Sequence, residues 1–393
     1  MTMVPLTSAD ELVRRAEELD AADPLAVWRD EFVVTDPDLV YLDGNSLGMA
    51  PRRTLDRIHQ VMRDEWATDL IASWRVRWLD LPQQVGDLLA PIIGASAGEV
   101  VVHDSTTVNL YQLVHAAVRL QPDRRVLAVD PNDFPTDRYV VAGIAAALGY
   151  DLRSGFDELH DVAVVVRSMI DYRTAEIADV QVETQRARSA GALVIWDLSH
   201  AAGVYPVDVH RDDVELAVGC TYKFLNGGPG APGYSYVAQE LIDRIEQPIH
   251  GWFATRDQFA MGPVFEPRPD IGRLRIGTPH ILSLVGAQCG IEVTAEAGID
   301  AIRAKSIELG RFGLAACDTL GLSTSTPRDD ARRGGHLCVH HPDAEAIVGR
   351  LASEHRIVGD FREPDVIRLG CSPLTTRFVD VARALATVAA MTG

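Results

Sequence analysis

A rhythm between about residues 99 and 240 constrains this chain more than any other feature. Five short runs, at 99–103, 125–129, 162–166, 192–196 and 215–220, are apolar and rich in β-branched residues, and helical patterns lie between them. A run that is apolar on both faces has no side for water, so it predicts a strand covered above and below. Such strands pair in parallel, and strand–helix alternation at this spacing predicts an α/β domain with a mainly parallel sheet flanked by helices. Apolar residues make up 47 % of the 393, which fills a core of that size and excludes wholesale disorder.

The flanks read differently. Residues 8–32 predict a helix, with Ser8 as cap and Glu11 three positions on, as in a capping box. Tyr41-Leu42-Asp43-Gly44-Asn45-Ser46-Leu47-Gly48 is turn-rich and leads through Pro51 into another helix. From about 290 the pattern becomes two helices, a strand at 337–340, a helix and a strand at 366–369, as in a smaller α+β domain. The expected division is an N-terminal helical segment, 1–40, packing with a small domain at 286–393, and a large domain at 41–285.

Charge and cysteine usage narrow the function classes. With 37 basic and 56 acidic side chains the formal charge is −19, which excludes a general nucleic-acid binder and docking on anionic membranes. The longest apolar stretch, around 139–150, is interrupted by Gly143 and is too short to span a bilayer. The first 25 residues lack the apolar centre of a signal peptide, and the five cysteines are scattered without a C-x-x-C pair. A reducing cytoplasm is the expected compartment, and neither a disulfide framework nor a cysteine-based zinc site is expected.

Ligands of parallel α/β sheets bind beyond the carboxyl ends of the strands, so the residues after each run carry the chemistry. Asp104-Ser105-Thr106-Thr107 precedes a helix, and hydroxyls with free N–H groups at a helix N-terminus suit an anion. Phe134-Pro135-Thr136-Asp137 brings an aromatic and a carboxylate that could hold a flat cationic ring. Asp197 ends an apolar strand, where an acid is costly without a partner such as a protonated ring nitrogen. Lys223 follows a buried strand and is flanked by Tyr222 and Phe224, and desolvation there frees an amine as nucleophile. Taken singly, these are equally an N-cap, a capped turn, a structural acid and a snorkelling lysine. Gly228-Pro229-Gly230-Ala231-Pro232-Gly233 matches G-x-G-x-x-G, but it precedes a strand-like 234–237 and holds two prolines, so it is not a dinucleotide loop. Together the anion cup, aromatic, carboxylate and lysine form the set that pyridoxal 5'-phosphate requires.

At these residues the chain resembles the kynureninases, pyridoxal-phosphate enzymes of the aspartate-aminotransferase-like fold type I. The matching stretches include Asn45-Ser46-Leu47-Gly48, Ser105-Thr106-Thr107-Val108-Asn109-Leu110, Phe134-Pro135-Thr136-Asp137, Asp197-Leu198-Ser199-His200-Ala201, Tyr222-Lys223-Phe224-Leu225-Asn226-Gly227-Gly228, Gly251-Trp252-Phe253, Arg275-Ile276-Gly277-Thr278-Pro279 and Ile367-Arg368. The resemblance implies that Lys223 forms the Schiff base, that Asp197 pairs with the pyridine nitrogen and that Phe134 stacks on the ring. It implies a phosphate site of Thr106, Thr107 and Tyr222, with Asp137, Ser168 and His200 nearby, and Tyr222 as an acid. Arg368 would clamp the substrate α-carboxylate, with Ser46 also at the substrate. Trp252 and Thr278 would reach the site from the second subunit of a homodimer. The implied reaction is hydrolysis of L-kynurenine to anthranilate and L-alanine, a step of tryptophan catabolism and of NAD biosynthesis. Ala254-Thr255 stands where many members carry Gly-His. The alternative within the fold is an aminotransferase or a cysteine desulfurase, for which Cys371 is the candidate thiol.

Overall fold

A computed structural model describes residues 9–392. The strands, in chain order, are β1 (Val40–Tyr41), β2 (Val100–His103), β3 (Val126–Val129), β4 (Asp151–Ser154), β5 (Val162–Ser168), β6 (Leu193–Asp197), β7 (Leu216–Cys220), β8 (Gly233–Val237), β9 (His336–His340), β10 (Ile357–Val358), β11 (Asp360–Arg362) and β12 (Val366–Gly370). The α-helices are α1 (Ala9–Ala21), α2 (Arg52–Gln60), α3 (Leu81–Leu89), α4 (Thr106–Leu120), α5 (Pro135–Leu148), α6 (Val180–Ser189), α7 (Ile281–Ala297), α8 (Ile299–Leu320), α9 (Ala344–His355) and α10 (Phe378–Thr392).

The central sheet has seven strands in the order β2-β8-β7-β6-β5-β3-β4. All five apolar runs lie in it, buried along nearly their whole length. Strands β3 to β7 pair in parallel, but β2 does not pair with any of them. It meets only β8, which runs antiparallel to both β2 and β7. The expectation of parallel pairing for the 99–103 run is therefore corrected: an inserted antiparallel strand separates it from its parallel neighbours. The glycine-rich segment ends in that strand, β8, and not in a helix. Edge strand β4 carries mostly exposed polar residues and so gave no apolar run in the sequence.

One sheet face packs against α3 and α7 through residues such as Val85, Leu89, Leu284 and Ile291, while Leu113, Val114, Val141 and Ile144 of α4 and α5 cover the other. A separate core joins α8, β9, β12 and α10, and Leu12, Ala16, Val40 and Leu42 from the N-terminal region complete it. Leu12 and Ala16 are four apart, on one face of α1. The single helix expected over 8–32 is corrected to α1 and a short 3-10 turn at Ala26–Glu31. The break comes at Asp23-Pro24: proline disfavours helical geometry in the residue before it, and the Asp23 carboxylate accepts the Leu25 N–H at 2.9 Å. The Ser8 cap lies outside the described residues. No described helix is long and apolar enough to cross a membrane.

Candidate active site

The strand-end residues converge on one cleft of about 120 Å³. Thr106, Thr107, Phe134, Asp137, Asp197, His200, Tyr222 and Lys223 all line it. The turn after β2 puts Asp104 at φ 44° and starts α4, whose cap Ser105 accepts the Val108 N–H at 3.4 Å. Gly233 packs against that turn so closely that a Cβ would come within 2.8 Å of the Thr106 nitrogen. The first N–H groups of α4 therefore face the cleft with little bulk in front of them. Phe134 takes the extended geometry required before proline, and Pro135 opens α5. Phe134 is 39 % exposed and lines the cleft, so it offers apolar surface to a flat ligand.

Asp197 is buried at the end of β6 and accepts from the Ser199 N–H at 2.9 Å and the Ser199 hydroxyl at 2.6 Å. Ser168, at the end of β5, stands opposite Asp197 in the strand register, and its N–H donates to both oxygens of Asp133 at 3.2 Å. Burial pushes Asp133 up to about 7, although Arg167 pulls the other way. Burial, and then the neighbouring Asp197 and Asp133, hold Asp137 well above the usual carboxylate range, and its Oδ2 is buried without a protein partner. Three carboxyls thus gather under the cleft.

The Lys223 Nζ lies 3.0 Å from His200 Nε2 and 5.8 Å from the centre of the Phe134 ring. Burial, then the Lys223 and Arg368 cations, hold His200 well below its ordinary range, so it is neutral and can accept the Lys223 N–H with Nε2. The neighbouring Cys220 and burial raise Tyr222, which remains a proton donor at neutral pH. The 43–48 turn closes on this loop: the Gly48 N–H donates to the Tyr222 carbonyl at 2.8 Å, and a Cβ on Gly48 would come within 2.4 Å of the Lys223 carbonyl oxygen.

Arg368, on β12, is almost fully buried and bound on several sides, with Ser46 Oγ 2.9 Å from its Nη2. It belongs to the neighbourhood of His200 and of His336, whose rings are 5.7 Å apart. Trp252 and Thr278 do not line the Lys223 cleft of their own chain. Trp252 is half exposed and lines a cavity bounded by residues 250–266, while Thr278 is exposed in a shallow notch with His103 and Asp104. Sequence reasoning missed Ser199, Asp133, His336 and Asp360. Ser199 carried a local signal, a hydroxyl two residues after a strand-end acid; the others carried none.

Known proteins resemble this chain in sequence and in fold. The family model of the kynureninase C-terminal domain matches residues 302–388. The kynureninase of Pseudomonas fluorescens is 41 % identical, over 92 % of this chain and 91 % of its own. The chain belongs to the kynureninase family. The kynureninase of Deinococcus radiodurans is 40 % identical, over 99 % of this chain and 98 % of its own. Among solved structures, a cysteine desulfurase of Thermococcus onnurineus superposes with TM-score 0.80 at 18 % identity, covering 93 % of this chain and 97 % of that one. A lysine-to-alanine variant of C-DES, with glycine covalently linked to its PLP cofactor, gives 0.79 at 17 %, covering 90 % and 97 %. The fold is that of the PLP-dependent fold type I enzymes.

Proposed function

We propose that this kynureninase-family enzyme hydrolyses the Cβ–Cγ bond of L-kynurenine, giving anthranilate and L-alanine, with pyridoxal 5'-phosphate as cofactor. One observation carries the site assignment: Lys223, an anion-accepting helix start, an open aromatic face and a buried carboxylate share one cleft. These residues fit the cofactor, since the unpartnered Oδ2 of Asp137 and Nδ1 of His200 leave buried polar capacity among the same residues. Thr106, Thr107 and Tyr222 would hold the phosphate, Phe134 the ring face, Asp197 the ring nitrogen and Lys223 the aldehyde carbon.

When bound, the cofactor supplies an electron sink next to the substrate Cα. The protein's work is then positioning and proton movement. Arg368 holds the α-carboxylate, a role suited to a planar guanidinium, with Ser46 beside it at the substrate end of the cleft. The Lys223 amine takes the Cα proton, and the neutral His200, 3.0 Å away, positions that amine without adding a second charge. Asp197, fixed by two hydrogen bonds from Ser199, stays in place through turnover. Tyr222 returns a proton to Cβ as the bond breaks, and one water supplies the oxygen that leaves in the anthranilate carboxylate.

We assign residues 41–285, with the rest of α7, whose Leu284 and Ile291 pack on the central sheet, to the cofactor domain, and the chain after Ala297 to a small domain joined by the described part of 1–40. The working unit is a homodimer in a cytoplasmic setting, with Trp252 and Thr278 completing the partner's cleft; both lie away from their own Lys223, and this supports the reading. A desulfurase reading finds no support at Cys371, which is buried, with its thiol pushed up to about 12 by burial. The test adds L-kynurenine to the purified, cofactor-loaded protein and follows anthranilate fluorescence. No anthranilate from a protein with a normal bound-cofactor spectrum would overturn the proposal.

A further inference from the structure

The surroundings of Arg368 go beyond a lone clamp. Its Nε donates to Asp360 Oδ1 at 2.8 Å, and Nη2 donates to Asp360 Oδ2, so Asp360 grips one whole edge of the guanidinium. Nη2 gives its other hydrogen to Ser46 Oγ at 2.9 Å, and Nη1 gives one to the Tyr172 carbonyl at 2.7 Å. Four of the five N–H donors are then used, and the remaining one belongs to Nη1. Asp360 is held in turn by Arg362 at 2.6 Å and by the Ser46 hydroxyl at 2.9 Å. Two guanidiniums thus share this one carboxylate, with Asp43 beside them as a second acid that burial and Asp360 push up to about 6.

We propose that Asp360 is the positioning residue of the carboxylate clamp. It fixes the Nε/Nη2 edge of Arg368 and leaves the Nη1/Nη2 edge for the substrate α-carboxylate. The substrate takes the unused Nη1 hydrogen and the Nη2 hydrogen that Ser46 accepts; the Ser46 hydroxyl keeps its bond to Asp360. Ser46 and Asp360 thereby link the 43–48 turn to the edge strand β11, so the turn that abuts the Lys223 loop also senses the clamp. Without its carboxylate partner the guanidinium would keep only the Tyr172 carbonyl and Ser46 as anchors, and a planar two-point contact depends on orientation as well as charge.

The inference rests on the clamp reading of Arg368, and a double-mutant cycle separates the two. Asp360→Asn, which retains one acceptor, should raise KM for L-kynurenine and the Kd of L-alanine, titrated through the visible spectrum, by about tenfold, equivalent to about 1.4 kcal/mol. Its kcat should stay within about twofold and its bound-cofactor spectrum should not change. Asp360→Glu guards against misfolding: it keeps the charge, should melt like the parent and should raise both constants in the same direction by a smaller factor. In an Arg368→Lys background, Asp360→Asn should add less than about a twofold further change. A lower KM in Asp360→Asn would mean that Asp360 competes for the clamp, and equal effects in both backgrounds would mean that it acts elsewhere; either result overturns the proposal. An unchanged KM in Arg368→Lys alone would overturn the clamp reading itself, and this inference with it.

Discussion

Asp133→Asn isolates the electrostatic cost of the acidic layer beneath the cleft. Asp133 is 4 % exposed, and its carboxyl is pushed up to about 7 by burial, with Arg167 opposing. A folded-state pKa above the unfolded value means that the folded protein prefers the protonated acid. The associated stability is fully present below the unfolded pKa and is lost as pH rises through 7. With an unfolded value near 3.9, the loss between about pH 5.5 and about pH 8 works out to about 2 kcal/mol. Asparagine does not titrate and can still accept the Ser168 N–H, so its unfolding free energy should lack this slope. The assay is urea unfolding of the cofactor-free protein and its Asp133→Asn variant at several pH values in that window. The variant's stability relative to the parent should rise by about 2 kcal/mol across it. Asp137, raised in the same sense and partly by Asp133 itself, loses part of its own slope in the variant, which adds to the difference between the curves. Parallel curves would refute the assignment of a strained, ionised Asp133 at neutral pH.

Other perturbations address the cleft and the assembly. Lys223→Ala should fold, lose covalently reducible cofactor and lose nearly all turnover; more than a few per cent residual activity with reducible cofactor would move the nucleophile elsewhere. Gly233→Ala drives a methyl against the start of α4, 2.8 Å from the Thr106 nitrogen, and should weaken cofactor binding by about tenfold or more, read by equilibrium dialysis. Mixing Lys223→Ala with Trp252→Ala subunits should restore activity, since one cleft per heterodimer is then intact; no recovery after verified exchange would place Trp252 outside the partner's cleft. L-Kynurenine should be preferred over its 3-hydroxy derivative by about tenfold in kcat/KM, because Thr278, at the partner's cleft, offers a ring hydroxyl a single hydrogen bond with a methyl beside it; equal kcat/KM values would mean that another polar group meets the ring.

The periodic part of this protein is legible in its amino-acid order. A strand covered on both faces must be apolar at every position, so the five runs, and the reactive groups at their ends, could be read from neighbouring residues alone. Lys223, Asp197, Phe134, Asp137, Thr106 and His200 meet in one cleft for that reason: parallel strands deliver their carboxyl ends to the same side. The resemblance to the kynureninases rested on the same short stretches. Edge strand β4 stayed hidden because an exposed strand needs no apolar pattern. The antiparallel insertion of β8 between β2 and β7 stayed hidden because pairing partners are chosen by the closed sheet and not by either strand.

Contacts between distant segments come from packing. Ser46 and Arg368 are 322 positions apart in the chain, and Asp360 sits in a three-residue strand with no pattern of its own. Their contact exists because the 43–48 turn packs against β12, where the Gly370 N–H donates to the Leu42 carbonyl at 2.6 Å. The titration of Asp133 and the neutrality of His200 belong to the fold for a further reason. Both follow from loss of water around the group, and desolvation depends on everything that packs there, which no local stretch of sequence specifies.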